Sequence, residues 1–161
     1  MKKLLIIVAV VLALAGFGIY KLVGTVNRAG ERGDAAVSAF HRDYNAKAIA
    51  AIHSAAAPAF RSAVPLEKFT PFAGMLHQKL GEWKGGERSS VNVKNDNGHE
   101  TLEMTYKSTF ANGDGTEEFV FDYNGDVPLL TDYHVKSPAL PGNAPGATVS
   151  RKAEDDKGLE Q

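Results

Sequence analysis

Between Gly98 and Ser137, apolar and polar residues alternate with period two. In Thr101–Phe110, the residues Leu102, Met104, Tyr106, Ser108 and Phe110 share one face, and Thr101, Glu103, Thr105, Lys107 and Thr109 share the other. Glu117–Tyr123 repeats the pattern, with Phe119, Phe121 and Tyr123 against Glu118, Val120 and Asp122. An earlier strand lies in Trp83–Lys94, with Val91 and Val93 on one face and a start made irregular by Gly85-Gly86. Turn signals at Asn95-Asp96-Asn97-Gly98, Asn112-Gly113-Asp114-Gly115 and Asn124-Gly125 join these runs into a four-stranded antiparallel meander.

Parity tests the register, because a one-residue slip turns a strand's faces over. A four-residue loop at 112–115 sets Met104 against Tyr123, Tyr106 against Phe121 and Ser108 against Phe119, all on the dry face. A loop over Asn95–Gly98 sets Val91 against Leu102. A two-residue Asn124-Gly125 turn instead exposes Leu129, Tyr133 and Val135. The pattern therefore predicts a three-residue loop or a bulge near Gly125–Pro128 that shifts the last strand by one.

Upstream the period becomes helical. Asp34 suits a helix cap, ahead of a stripe of Val37, Phe40 and Tyr44. An Ala-rich segment with Ile49 and Ile52 predicts a second short helix ending near Pro58. Leu66, Phe69, Phe72, Met75, Leu76 and Leu80 make the strongest stripe. That helix starts at Pro71, after Thr70, or at Pro65 with a kink, and Gly81 ends it. The sheet needs an apolar cover and this helix supplies one, so the fold class is α+β. The domain spans 34–137, behind a polar stalk at 27–33. Residues 138–161 lack periodicity and read as a disordered tail.

At the N-terminus, Lys2-Lys3 precedes an apolar run from Leu4 to Tyr20 that extends past Lys21 to Val26. Seventeen to twenty-three helical residues span about 26 to 34 Å, which brackets a bilayer core. Residues 1–26 therefore read as a transmembrane signal anchor, holding a single-pass protein in the cytoplasmic (inner) membrane with its C-terminal domain in a periplasm-like compartment. The competing reading is a secretory peptide cleaved after Ala15, which gives a soluble periplasmic protein. The 161 residues carry a formal net charge of −1 and no cysteine. No general attraction to nucleic acid follows, and disulfides, thiolate metal sites and a Cys nucleophile are excluded.

Phe69–Gly81 with its Lys79-Leu80-Gly81 ending, Tyr106–Phe110 with the Asn112-Gly113 turn, Glu118-Phe119-Val120-Phe121 and Leu129–Val135 together carry a resemblance. Over roughly residues 34–137 the chain resembles small exported bacterial domains of the nuclear transport factor two-like, or cystatin-like, superfamily. The resemblance implies a cystatin-like cone whose sheet and helices enclose a pocket. Relatives use that pocket for isomerase or dehydratase chemistry, for small-ligand binding, or as plain core. Here the cavity lining implied is Tyr44, Met104, Tyr106, Phe121, Tyr123 and Tyr133.

Local chemistry adds little. His41, His53, His77, His99 and His134 show no metal-binding spacing, and no cofactor motif is present. Asp132 and His134 share a face of the last strand, but the register that buries Tyr133 puts both in water. The turn acids lack the ligand spacing of a calcium loop. The reading is a membrane-anchored binding or accessory domain that takes an apolar small ligand or a partner. An envelope protein and a second copy are the partners considered. The alternative is a small isomerase or lyase in the same cavity, which requires an inward-facing acid or histidine.

Overall fold

The computed structural model describes residues 28–96 and 99–140. The apolar run 4–26, the Ala15 site and residues 141–161 lie outside the described residues. Among those described, no helix is long and apolar enough to cross a membrane.

Helix α1 covers residues 28–45. It is followed by α2 (Ile49–Ala55), α3 (Pro58–Ala63) and α4 (Leu66–Leu80), then by strands β1 (Trp83–Asp96), β2 (His99–Phe110), β3 (Gly113–Asn124) and β4 (Val127–Lys136). The strands form one antiparallel sheet in the order β1-β2-β3-β4, with the helices packed against it. The α+β meander is thus as the alternation predicts.

Three local expectations change. Residues 28–33 are helical, so the helix is already running at Asp34 and takes in the described part of the expected stalk. Of the two expected starts, helix α4 takes the earlier, beginning at Leu66 directly after Pro65 and carrying Pro71 inside it, but its apolar stripe is shorter than expected. Its first residue, Leu66, is exposed, whereas Phe69, Ala73, Leu76 and Leu80 are buried. At the other end of the domain, Leu140 is buried against the core, which extends the folded unit past Ser137.

The register keeps the predicted parity with shorter turns. Ala111 and Asn112 alone join β2 to β3, so Met104 faces Phe119, Leu102 faces Phe121 and Tyr106 faces Glu117. Asp96 pairs with His99, which sets Val93 against Leu102 and Val91 against Met104. Between β3 and β4 the register does shift by one, but the shift falls between Val120 and Phe121, opposite Thr131, instead of at the turn. The bulge brings Leu130, Thr131, Tyr133 and Val135 all into buried positions.

Helix α1 is locked to the sheet by residues at both ends of its buried stripe. The Tyr44 hydroxyl donates to the Gly81 carbonyl at 2.9 Å, and the Asn45 side chain exchanges two 2.9 Å bonds with the backbone of Trp83. Near the other end, a β-carbon on Gly33 would stand 2.2 Å from Met104 Sδ, so only glycine lets the helix lie this close. The outer face of the sheet is a polar ladder, with Thr101–Asp122, Ser90–Thr105 and Asn92–Glu103 bonded across strands.

Candidate functional site

The inner face of the sheet is filled. Met104 lies 1 % exposed beneath Gly33, and Phe121 is 2 % exposed. Ring contacts converge on Phe119 and Phe40, including a 4.8 Å approach of Phe40 to Tyr133. The implied lining residues therefore do not share one cavity. Tyr44 is core, bonded to Gly81. Tyr106 donates to Asp34 and lines a depression between α1 and β1. Tyr123 donates to the Ala29 carbonyl at 3.2 Å and borders a polar depression at the β1–β2 and β3–β4 tips. Phe121 lines an apolar groove, and Tyr133 enters a buried polar cluster.

That cluster was not anticipated. Position 41 completes the helical stripe of Val37, Phe40 and Tyr44, and position 117 shares the parity of Phe119 and Phe121, so periodicity places a histidine and a glutamate in the core. His41 Nε2 lies 2.9 Å from Glu117 Oε2, with the two side chains 2 % and 1 % exposed. Tyr133 donates to Glu117 Oε1 at 2.6 Å and the Ser108 hydroxyl donates to Oε2. Trp83 Nε1 donates to Ser108 at 3.2 Å, and the Trp83 ring stacks on His41 at 4.1 Å. With both glutamate oxygens already accepting, Nε2 is the donor to Glu117. Burial, together with the Glu117 carboxylate, raises the Tyr133 hydroxyl well above its ordinary value. His41 Nδ1 is buried and has no hydrogen-bond partner.

Beside this cluster, Asp34, Val37, Ser38, His41, Trp83, Gly86, Arg88 and Tyr106 outline a depression of about 340 Å³. Arg88 pairs with Asp34 at 2.9 Å across its rim. Burial is the larger cause, and the Asp34 bond the smaller, of a raised Tyr106 hydroxyl. Asp132 and His134 lie on the opposite side of β4, partly exposed as the parity argument requires.

On the other flank of α1 lies a groove of about 410 Å³. Helix α1 lends it Ala35, Ala36, Ala39 and Phe40, helix α2 lends Ile52 and Ala55, followed by Ala56 just past its end, and the sheet lends Phe121 and Val127–Leu130. Charged residues stand only at its ends, Arg32 at one and Asp43 at the other. Alanines on both helices leave space that larger side chains would fill, and Val127 is 56 % exposed at its lip. The backbone N–H of Ala57 donates to the Leu130 carbonyl at 2.9 Å, which holds the helical wall to β4. The groove's signal in the sequence is the run of alanines, which helical packing explains equally well.

No family model matches the chain, and neither a curated protein nor a solved structure matches it either.

Proposed function

We propose that the chain is a membrane-anchored, exported binding domain that holds an apolar small ligand in the groove between α1, α2 and β4. The observation that carries this reading is the groove itself, whose volume of about 410 Å³ and Ala-rich wall suit a ligand better than a core. Ligand sites run from about 300 to 1,000 Å³ and are lined mainly by apolar side chains with few polar groups. The anchor is residues 4–26, and the cone-shaped fold of the cystatin-like superfamily is the architecture within which we place the groove. The inner membrane is then the first partner. The polar ladder on the outer sheet face supports a small ligand over docking of an envelope protein or a second copy there.

The test is native mass spectrometry of the full chain, extracted from its membrane in maltoside detergent. A small-molecule adduct is expected on the wild type and not on Ala39→Trp, which fills the groove. An adduct retained by that variant would remove the groove from consideration.

A second reading is favoured by one observation. His41 and Glu117 supply the inward-facing histidine and acid that an isomerase or lyase needs, next to the depression rimmed by Arg88. It ranks second because His41 Nδ1, the nitrogen left for a substrate, is itself buried. Turnover with a bell-shaped pH profile that vanishes in His41→Gln would reverse the order.

A further inference from the structure

The two ends of the groove differ, and the difference bears on what enters it. This inference rests on the groove being a ligand site. At one end Arg32 pairs with Asp126 at 2.6 Å, with side chains 44 % and 84 % exposed. An ion pair so exposed is weak and exchanges readily with another anion. Arg28 stands one helical turn earlier, on the polar depression that Arg32 also borders. At the far end Asp43 is already held by Arg42 at 2.8 Å. The groove thus pairs an apolar trough with a guanidinium at one mouth, and that guanidinium can grip a carboxylate or phosphate through two parallel bonds.

Chain connectivity supplies the second argument. The apolar run 4–26 directly precedes α1, whose first described residue is Arg28. Arg32 lies six residues past Val26, so the mouth stands within about 22 Å of the end of the apolar run whatever path the chain takes. The chain leaves at the other end of the sheet, where the Ser137 hydroxyl donates to the Asp114 carbonyl at 2.6 Å. The basic mouth is therefore the end of the groove nearer in the chain to the apolar run. We propose that the groove takes a single-chain anionic amphiphile from the membrane, its tail along Ala35, Ala36 and Ala39 and its headgroup on Arg32.

The experiment uses the full chain in neutral phosphatidylcholine vesicles, with diazirine-bearing dodecanoic acid and the matching dodecanol as photoprobes. Labelled residues are located by mass spectrometry. The acid is expected to label Ala35–Phe40 or Val127–Leu130 about tenfold more than the alcohol, and Arg32→Gln is expected to remove that preference, as loss of one charge-assisted contact requires. Equal labelling of the groove by both probes would overturn the anionic headgroup and leave the groove as a ligand site. Labelling confined to residues 1–27 would overturn both. A photoreactive residue at Ala35 that captures residues 1–27 or a second copy would make the chain its own occupant and also overturn the proposal. Unchanged Trp83 emission would confirm that Arg32→Gln is folded.

Discussion

Glu117 on β3 and His41 on α1 stand 76 positions apart in the chain and meet at 2.9 Å inside the core. Their contact joins the first described helix to the third strand, and Tyr133, Ser108 and Trp83 extend it to β4, β2 and β1. Every strand of the sheet is represented in one polar cluster.

Removing one partner strands the other in a dry interior. Glu117→Leu and His41→Leu are each expected to cost about 3–5 kcal/mol, and the double variant less than their sum. Urea denaturation followed by the emission of Trp83 checks this. Strictly additive losses would mean that the two side chains do not depend on each other.

Two helical glycines are expected to respond in opposite directions. Gly74 in α4 has nothing within 4 Å of a built β-carbon. Gly74→Ala should therefore stabilise the fold by about 1 kcal/mol through helix propensity. Gly33→Ala drives its methyl into Met104 and Leu102 and should destabilise by about 1–3 kcal/mol. Thermal melts of both variants decide the matter, and a stabilised Gly33→Ala would show that α1 can lift off the sheet without penalty.

The hydroxyls of Tyr44, Tyr106 and Tyr133 are all raised above their ordinary 10.0, in each case chiefly by burial. The folded state therefore holds protons that the unfolded chain releases above about pH 10. Stability is fully present below that value and falls as pH rises beyond it. An alkaline titration at constant urea should show the midpoint dropping from pH 10 upward, with phenolate absorbance from these residues appearing only as the protein unfolds. Phenolate absorbance from all the tyrosines before unfolding would contradict this.

Asp132 shows the same sign at lower pH. Burial raises its carboxyl above the model-compound value of 3.8, and Oδ1 has no hydrogen-bond partner. The proton it retains stabilises the fold below pH 3.8, and this contribution is lost as pH rises through the raised value. Asp132→Asn should melt higher than wild type at pH 7, with the gain shrinking to nothing in acid. A variant that gains equally at pH 3 and pH 7 would point to a cause other than the charge.

Parity carried most of what could be read in advance. It placed Met104, Phe119, Phe121, Tyr133 and Val135 inward and required a one-residue shift before β4. It could not locate that shift at Thr131, because a bulge anywhere between the Gly125 turn and Tyr133 turns Tyr133 and Val135 inward, and its position decides only whether Leu129 or Leu130, both apolar, faces the core. Turn length was illegible for a related reason. A two-residue loop at Ala111-Asn112 and a four-residue loop at Asn112–Gly115 both keep the dry face dry, so alternation does not choose between them. His41 and Glu117 lie on the buried stripes, but 76 positions separate them, and no local spacing shows that they meet. The close approach at Gly33 depends on the angle at which α1 crosses the sheet, which no local pattern encodes. The groove is a property of what the alanines fail to fill, and unfilled space has no letter.

Alternation guards a strand against slips of one residue and is blind to slips of even number. Sliding β3 by four residues along β2 keeps Phe119, Phe121 and Tyr123 inside and sets Glu117 opposite Phe110 in place of Tyr106. That displacement carries the carboxylate roughly 13 Å along β2, while Asn45 continues to hold His41 beside Trp83 at the sheet's first strand. The misaligned sheet would then contain a dry carboxylate and a dry imidazole with neither to answer the other. Glu117 thus acts as a registration mark: it leaves the intended alignment tolerable and makes the nearest look-alike alignments untenable.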